Sequence, residues 1–194
     1  MSDNYVTIWG FSNPTFNAPP IRAIKEQWSN IKNDNIVNIM CSEEQYLEFQ
    51  KFIISNLVTA SGKLPISEKN VSKPVGFSIR AGMVKSMILT AATIIEAGLR
   101  YHAHARGYVS EKEKSVTLGR LRDIWKSKGS TDISHLYDTL DVLTDRRNTI
   151  HAYKAEEFRL GNDYERYWKG IVIEENLIFN KAELMIAEIK KIKS

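Results

Sequence analysis

The stretch from Phe77 to Arg106 constrains this chain more than any other. Met83, Met87, Ile88, Ala91, Ile94, Ile95, Gly98 and Leu99 recur at helical spacing and make one broad buried face. The small residues Ala81, Gly82, Ala91, Ala92, Ala97 and Gly98 let neighbouring helices come close. The pattern predicts a long helix in an all-α fold, with about four helices bundled from residue 77 onward.

The other segments fit around it. "PPIRAIKEQWSNIKND" reads as a helix opened by proline, with Ile21, Ile24, Trp28 and Ile31 three or four apart. "NIVNIMC" reads equally as a short strand or a linker. "SEEQYLEFQKFIISNLVTASG" reads as a second helix, with Ser42 as N-cap, Gln45 three residues on and Gly62 as its stop. Residues 1–20 look irregular, with turn signals at Asn13-Pro14 and Pro19-Pro20, but Trp9, Phe11 and Phe16 suggest an arm that packs. "KLPISEKNVSKPVG" is the best boundary, which divides the chain into a helical N-terminal extension (1–75) and a helical bundle (76–194). In the bundle, "VTLGRLRDIWKSKG" predicts a short helix ending at Gly129. Another runs from Asp132 to about Tyr153, capped by Ser130, Thr131 or Asp132. A last helix covers the lysine-rich C-terminal segment.

Apolar residues form 43% of the 194, enough for one domain with a real core, and no run is expected to reach membrane-spanning length. No signal-peptide pattern opens the chain, and the lone Cys41 excludes an internal disulfide and a cysteine-based zinc site. A cytoplasmic location without membrane association is the simplest expectation. The net charge of +4 is compatible with a nucleic-acid partner. His102 and His104 point about 200° apart on a helix, so they cannot share a metal. His102 or Arg106 could instead line a nucleic-acid groove. No phosphate-binding loop, dinucleotide fingerprint or carboxylate cluster is present, and no cofactor is expected.

The chemistry concentrates in "DRRNTIHAY", residues 145–153. Ile133, Leu136, Tyr137, Leu140 and Leu143 define the apolar face of the preceding helix. At about 100° per residue, Arg147 falls inside that stripe and His151 sits on the same face. Thr144 and Asn148 flank the line, while Arg146 and Tyr153 lie on its outer side. A guanidinium on a core-facing stripe must be paired or wet. One reading makes Arg147 a cap of the bundle end, bonded to helix carbonyls or to an acid such as Glu96. The other opens the stripe into a cleft, where an arginine fork and a histidine face a phosphodiester together.

"RRNTIHAY" resembles the signature of the HEPN superfamily, helical nucleic-acid-binding domains that include many RNases. Two registers fit: Arg146-x4-His151-x-Tyr153, and Arg147-Asn148-x-x-His151. The wheel favours Arg147 as inward-facing, and the tighter motif match favours Arg146. The apolar helix bearing Glu96 also resembles the first helix of that family, and the likeness covers about residues 77–192. It implies a HEPN-like bundle of four to five helices and a homodimer with a composite site. It also implies metal-independent endoribonuclease activity, leaving 2′,3′-cyclic phosphate and 5′-OH ends. Arg146, Arg147, Asn148 and His151 would be catalytic, Glu96 an orienting acid, and Tyr153 a site-lining or modified residue. The partners implied are RNA, a second copy, and an antitoxin or antiphage defence protein. The alternatives are a non-catalytic HEPN-like module that binds RNA or protein, and a helical oligomer using the Arg–His stripe as a polar seam.

Overall fold

The computed structural model describes residues 5–12, 15–63, 73–74, 77–110, 113, 116–149 and 164–193. The chain is mostly helical, with little strand. The helices are α1 (Ile21–Gln27), α2 (Asp34–Asn56), α3 (Phe77–Ala105), α4 (Leu118–Ser127), α5 (Tyr137–Thr149) and α6 (Tyr164–Ile189). A 3-10 turn, Ser134–Leu136, leads into α5.

The middle of α3 buries a broad face, while Leu89 and Thr93 reach solvent. Ala91, Ala92, Ile94, Ile95 and Leu99 are all fully buried, because α2, α4, α5 and α6 pack around them. Met40 of α2 and Ile189 of α6 converge on Gly98, where a Cβ would come within 2.6 Å of Ile189 Cγ2. The glycine therefore sets the separation of α3 and α6. Ile178, Ala182, Met185 and Ile189 form the buried stripe of α6. The expectation that no run is long enough to span a membrane is corrected here. Ile79–Ala105 passes that test by length and composition, and 56% of its most apolar window is buried within the fold. A core helix enclosed by four others has the same composition as a membrane helix.

The N-terminal region differs from the sequence reading at several points. "NIVNIMC" belongs to α2, which begins at Asp34 after the Asn33 cap, whose side chain accepts from Ile36 N–H. Ser42 is not an N-cap. It lies inside α2, and its hydroxyl donates to Asn38 O, 3.1 Å away. The helix stops at Asn56 rather than Gly62, because Leu57 is already extended. Three antiparallel strands follow from this: β1 (Tyr5–Phe11), β2 (Leu57–Lys63) and β3 (Lys73–Pro74), in the order β1-β2-β3. Tyr5 pairs with Lys63 and Phe11 with Leu57. The segment read as irregular thus contains a strand.

Phe16 packs on the rings of Phe49 and Phe52 of α2, with centroids 5.3 and 5.2 Å away. Ile24 of α1 and Trp28 at its C-cap, with Val37 and Met40 of α2, join the same buried cluster as α3 to α6. Trp28 Nε1 donates to Glu44 at 2.9 Å, and Lys190, just past α6, sits over the Trp28 ring and binds the same carboxylate. Asn30 donates to the carbonyls of Ile189 and Ile192, so α1 is tied to the C-terminal end of α6.

Candidate functional site

The site begins with the stripe on α5. Ile133, Leu136, Leu140 and Leu143 are buried as their spacing requires, with Tyr137 partly buried against them. Arg147 continues the line, one turn beyond Leu143. Its guanidinium meets Glu96 of α3, with Nη2 3.2 Å from Oε2. The carboxylate is 16% exposed, so most of its hydration must be replaced by protein donors.

Three donors do this. Arg100, one turn along α3, gives Nη2 to Glu96 Oε1, and the same nitrogen reaches Val116 O at 2.7 Å. The backbone N–H of Leu118, the first residue of α4, donates to Oε2 at 3.1 Å. Arg147 completes the set. The positive end of the α4 dipole adds to the stabilisation, and Thr117 caps the same end by accepting from Arg120 N–H. One carboxylate thereby joins α3, α4 and α5 and holds two guanidinium groups side by side. The cluster carries a net positive charge, the sign that suits a phosphate. α4 also approaches α5 closely here: a Cβ at Gly119 would touch Thr144 Cγ2 at 3.5 Å.

Arg146 is half-buried and Asn148 is exposed near the end of α5. His151 and Tyr153 lie outside the described residues. The structure therefore brings Glu96 and Arg147 together from two helices, and Arg146 and Asn148 flank Arg147 along α5. Arg100 was missed in the sequence. Its signal is the four-residue spacing Glu96–Arg100, the interval at which opposite charges meet on a helix.

His102 and Arg106 do not line a groove, contrary to the sequence expectation. His102 is completely buried, with Nε2 3.1 Å from the Asn30 side-chain nitrogen. Burial, reinforced by nearby Arg106, pulls its pKa down to about 4. Arg106 is a latch at the end of the bundle, bound to Asp132, Ser130 and Lys193 O and lying over the Trp125 ring. Among the described residues, no group of three or more histidine, cysteine, aspartate or glutamate side chains is placed to hold a metal ion.

No protein-family model, curated protein or solved structure matches the chain.

Proposed function

We propose that this protein is a metal-independent endoribonuclease of the HEPN type, acting as a toxin or antiphage defence effector on RNA of its own cell. The observation that carries this reading is the position of Arg147. It extends the inward stripe of α5, is oriented by Glu96 from α3, and stands four residues before His151 in "RRNTIHAY". A fixed, permanently charged fork beside a histidine suits a phosphodiester whose own ribose supplies the nucleophile.

In the proposed reaction the 2′-OH attacks the adjacent phosphorus. His151, neutral, accepts the hydroxyl proton, and a protonated imidazole from a second copy of the chain gives a proton to the departing 5′-oxygen. The products are a 2′,3′-cyclic phosphate and a 5′-OH. Arg147, or Arg146 in the other register, stabilises the added charge on the phosphate oxygens in the transition state. Glu96 acts as a positioning residue, holding Arg147 without touching the RNA.

A second reading has its own support. The Glu96–Arg147 pair also braces the end of α5 against α3 and α4, which accounts for Arg147 without any RNA. On that basis the chain is a non-catalytic RNA-binding or protein-interaction module. Cleavage assays in EDTA separate the two. The nuclease reading predicts RNA fragments with cyclic-phosphate ends, lost in His151→Ala. The module reading predicts RNA retention without fragments.

A further inference from the structure

A cavity of about 740 Å³ opens between the first turns of α2 and the last turns of α3, around the helix from Glu96. That volume falls in the range of small-molecule sites. Its walls are Ile36 and Ile39 from α2 and Ala97 and Tyr101 from α3, with Asn33, Arg100 and His104 as the nitrogen-bearing side chains. Two features define its wall. Ile39 is 59% exposed and, like Tyr46 and Phe49 further along α2, leaves apolar surface uncovered. The Tyr101 ring is fixed, because its hydroxyl accepts from Lys32 N–H at 2.9 Å.

Arg100 is about one-third exposed and paired with Glu96, and no carboxylate is among the side chains that line the cavity itself. Glu96 already holds Arg100 in place, so the fork is preorganised and little side-chain entropy is lost on binding. From this apolar wall with a fixed cation at its edge, we infer that the cavity is a binding site for a small amphipathic anion. Its occupant is an aromatic or aliphatic body with one carboxylate head, the body against Ile36, Ile39 and Tyr101 and the head toward Arg100 and His104. The cavity shares Arg100 with the Glu96 cluster, but its binding is read without any RNA.

The test uses the full chain, with 2-naphthoate as probe and neutral 2-naphthalenemethanol as its control, followed by amide chemical shifts. The expected result is saturable shifts at Ile36, Ile39, Ala97, Tyr101 and His104, with the alcohol at least fivefold weaker. Ile39→Asp, a change at an exposed position, should weaken 2-naphthoate at least tenfold, and Arg100→Gln at least fivefold. Equal affinity for acid and alcohol, shifts confined to other regions, or unchanged binding by Ile39→Asp would overturn the assignment. If Arg100→Gln fails to fold, the Ile39→Asp comparison decides alone.

Discussion

Glu96 illustrates how one side chain can organise a site. It accepts from Arg100, Arg147 and the Leu118 backbone, so removing it strands two cations and a helix N-terminus at once. Glu96→Ala should cost about 2–3 kcal/mol in urea denaturation, the range for breaking a partly buried charged network. Glu96→Gln keeps the shape and loses the charge, so it should cost less. With arginine variants beside it, the same series separates the roles of Arg146 and Arg147. If Arg147 meets the phosphate, Arg147→Ala should reduce RNA cleavage by about 10²–10³-fold, more than Glu96→Gln does. If Arg147 only braces the helix, the two variants should fall together and Arg146→Ala should show the larger loss. His102 gives a prediction of a different kind. Its pKa is about 4 in the fold, below the ordinary 6.5, so the unfolded chain binds the extra proton between these values. Its contribution is complete above about pH 6.5 and is lost as pH falls toward 4, at most about 3 kcal/mol. Denaturation midpoints at pH 7 and 4.5 check this. His102→Gln should lose less stability on acidification than the wild type does, and an identical loss would exclude the buried histidine as a cause.

At the scale of elements, the glycines of α3 behave oppositely. At Gly98 a methyl group would collide with Ile189, which is itself buried and β-branched, so Gly98→Ala should destabilise by about 1–2 kcal/mol despite its better helix propensity. At Gly82 nothing lies within 4 Å of an added Cβ, and Gly82→Ala should stabilise by about 0.5–1 kcal/mol. Guanidinium denaturation of both variants tests the contrast. The helices were legible where one apolar stripe and a stop signal agreed. α3 has the expected bounds to within a residue, and α4 ends just before Gly129, which takes the positive φ of 59° that favours glycine. The sheet was not legible. "YVTIWGF" has the β-branched and aromatic content of a strand, but it stands beside the turn signals at Asn13-Pro14, and its partner is distant in sequence. Leu57 and Val58 continue the apolar rhythm of α2, so local periodicity extends the helix into β2. Ser42 was misread because Ser-x-x-Gln marks a helix start only where the backbone is not already helical, and Asn33 had begun α2 earlier. The inward direction of Arg147 followed from counting along one helix. Its meeting with Glu96 and Arg100 depends on how α3, α4 and α5 pack, which no single-helix wheel contains.

The whole molecule joins these parts through α3, which contacts α2, α4, α5 and α6 and carries Glu96, Arg100 and His102 within two turns. Changes at the Glu96 cluster should therefore reach overall stability as well as any site it serves. The proposed composite site adds a requirement beyond one chain: the nuclease should be dimeric at the concentrations where it cuts. Sedimentation across a dilution series should show cleavage per chain falling as the dimer dissociates, and a fully active monomer would contradict a shared site. The most direct measurement of the central claim is incubation of purified wild type and His151→Ala with total RNA in EDTA, with end-group analysis of the fragments. The account predicts fragments ending in 2′,3′-cyclic phosphate from the wild type and at least a 100-fold loss in the variant. Intact RNA with both proteins, or equal cleavage by both, would contradict it.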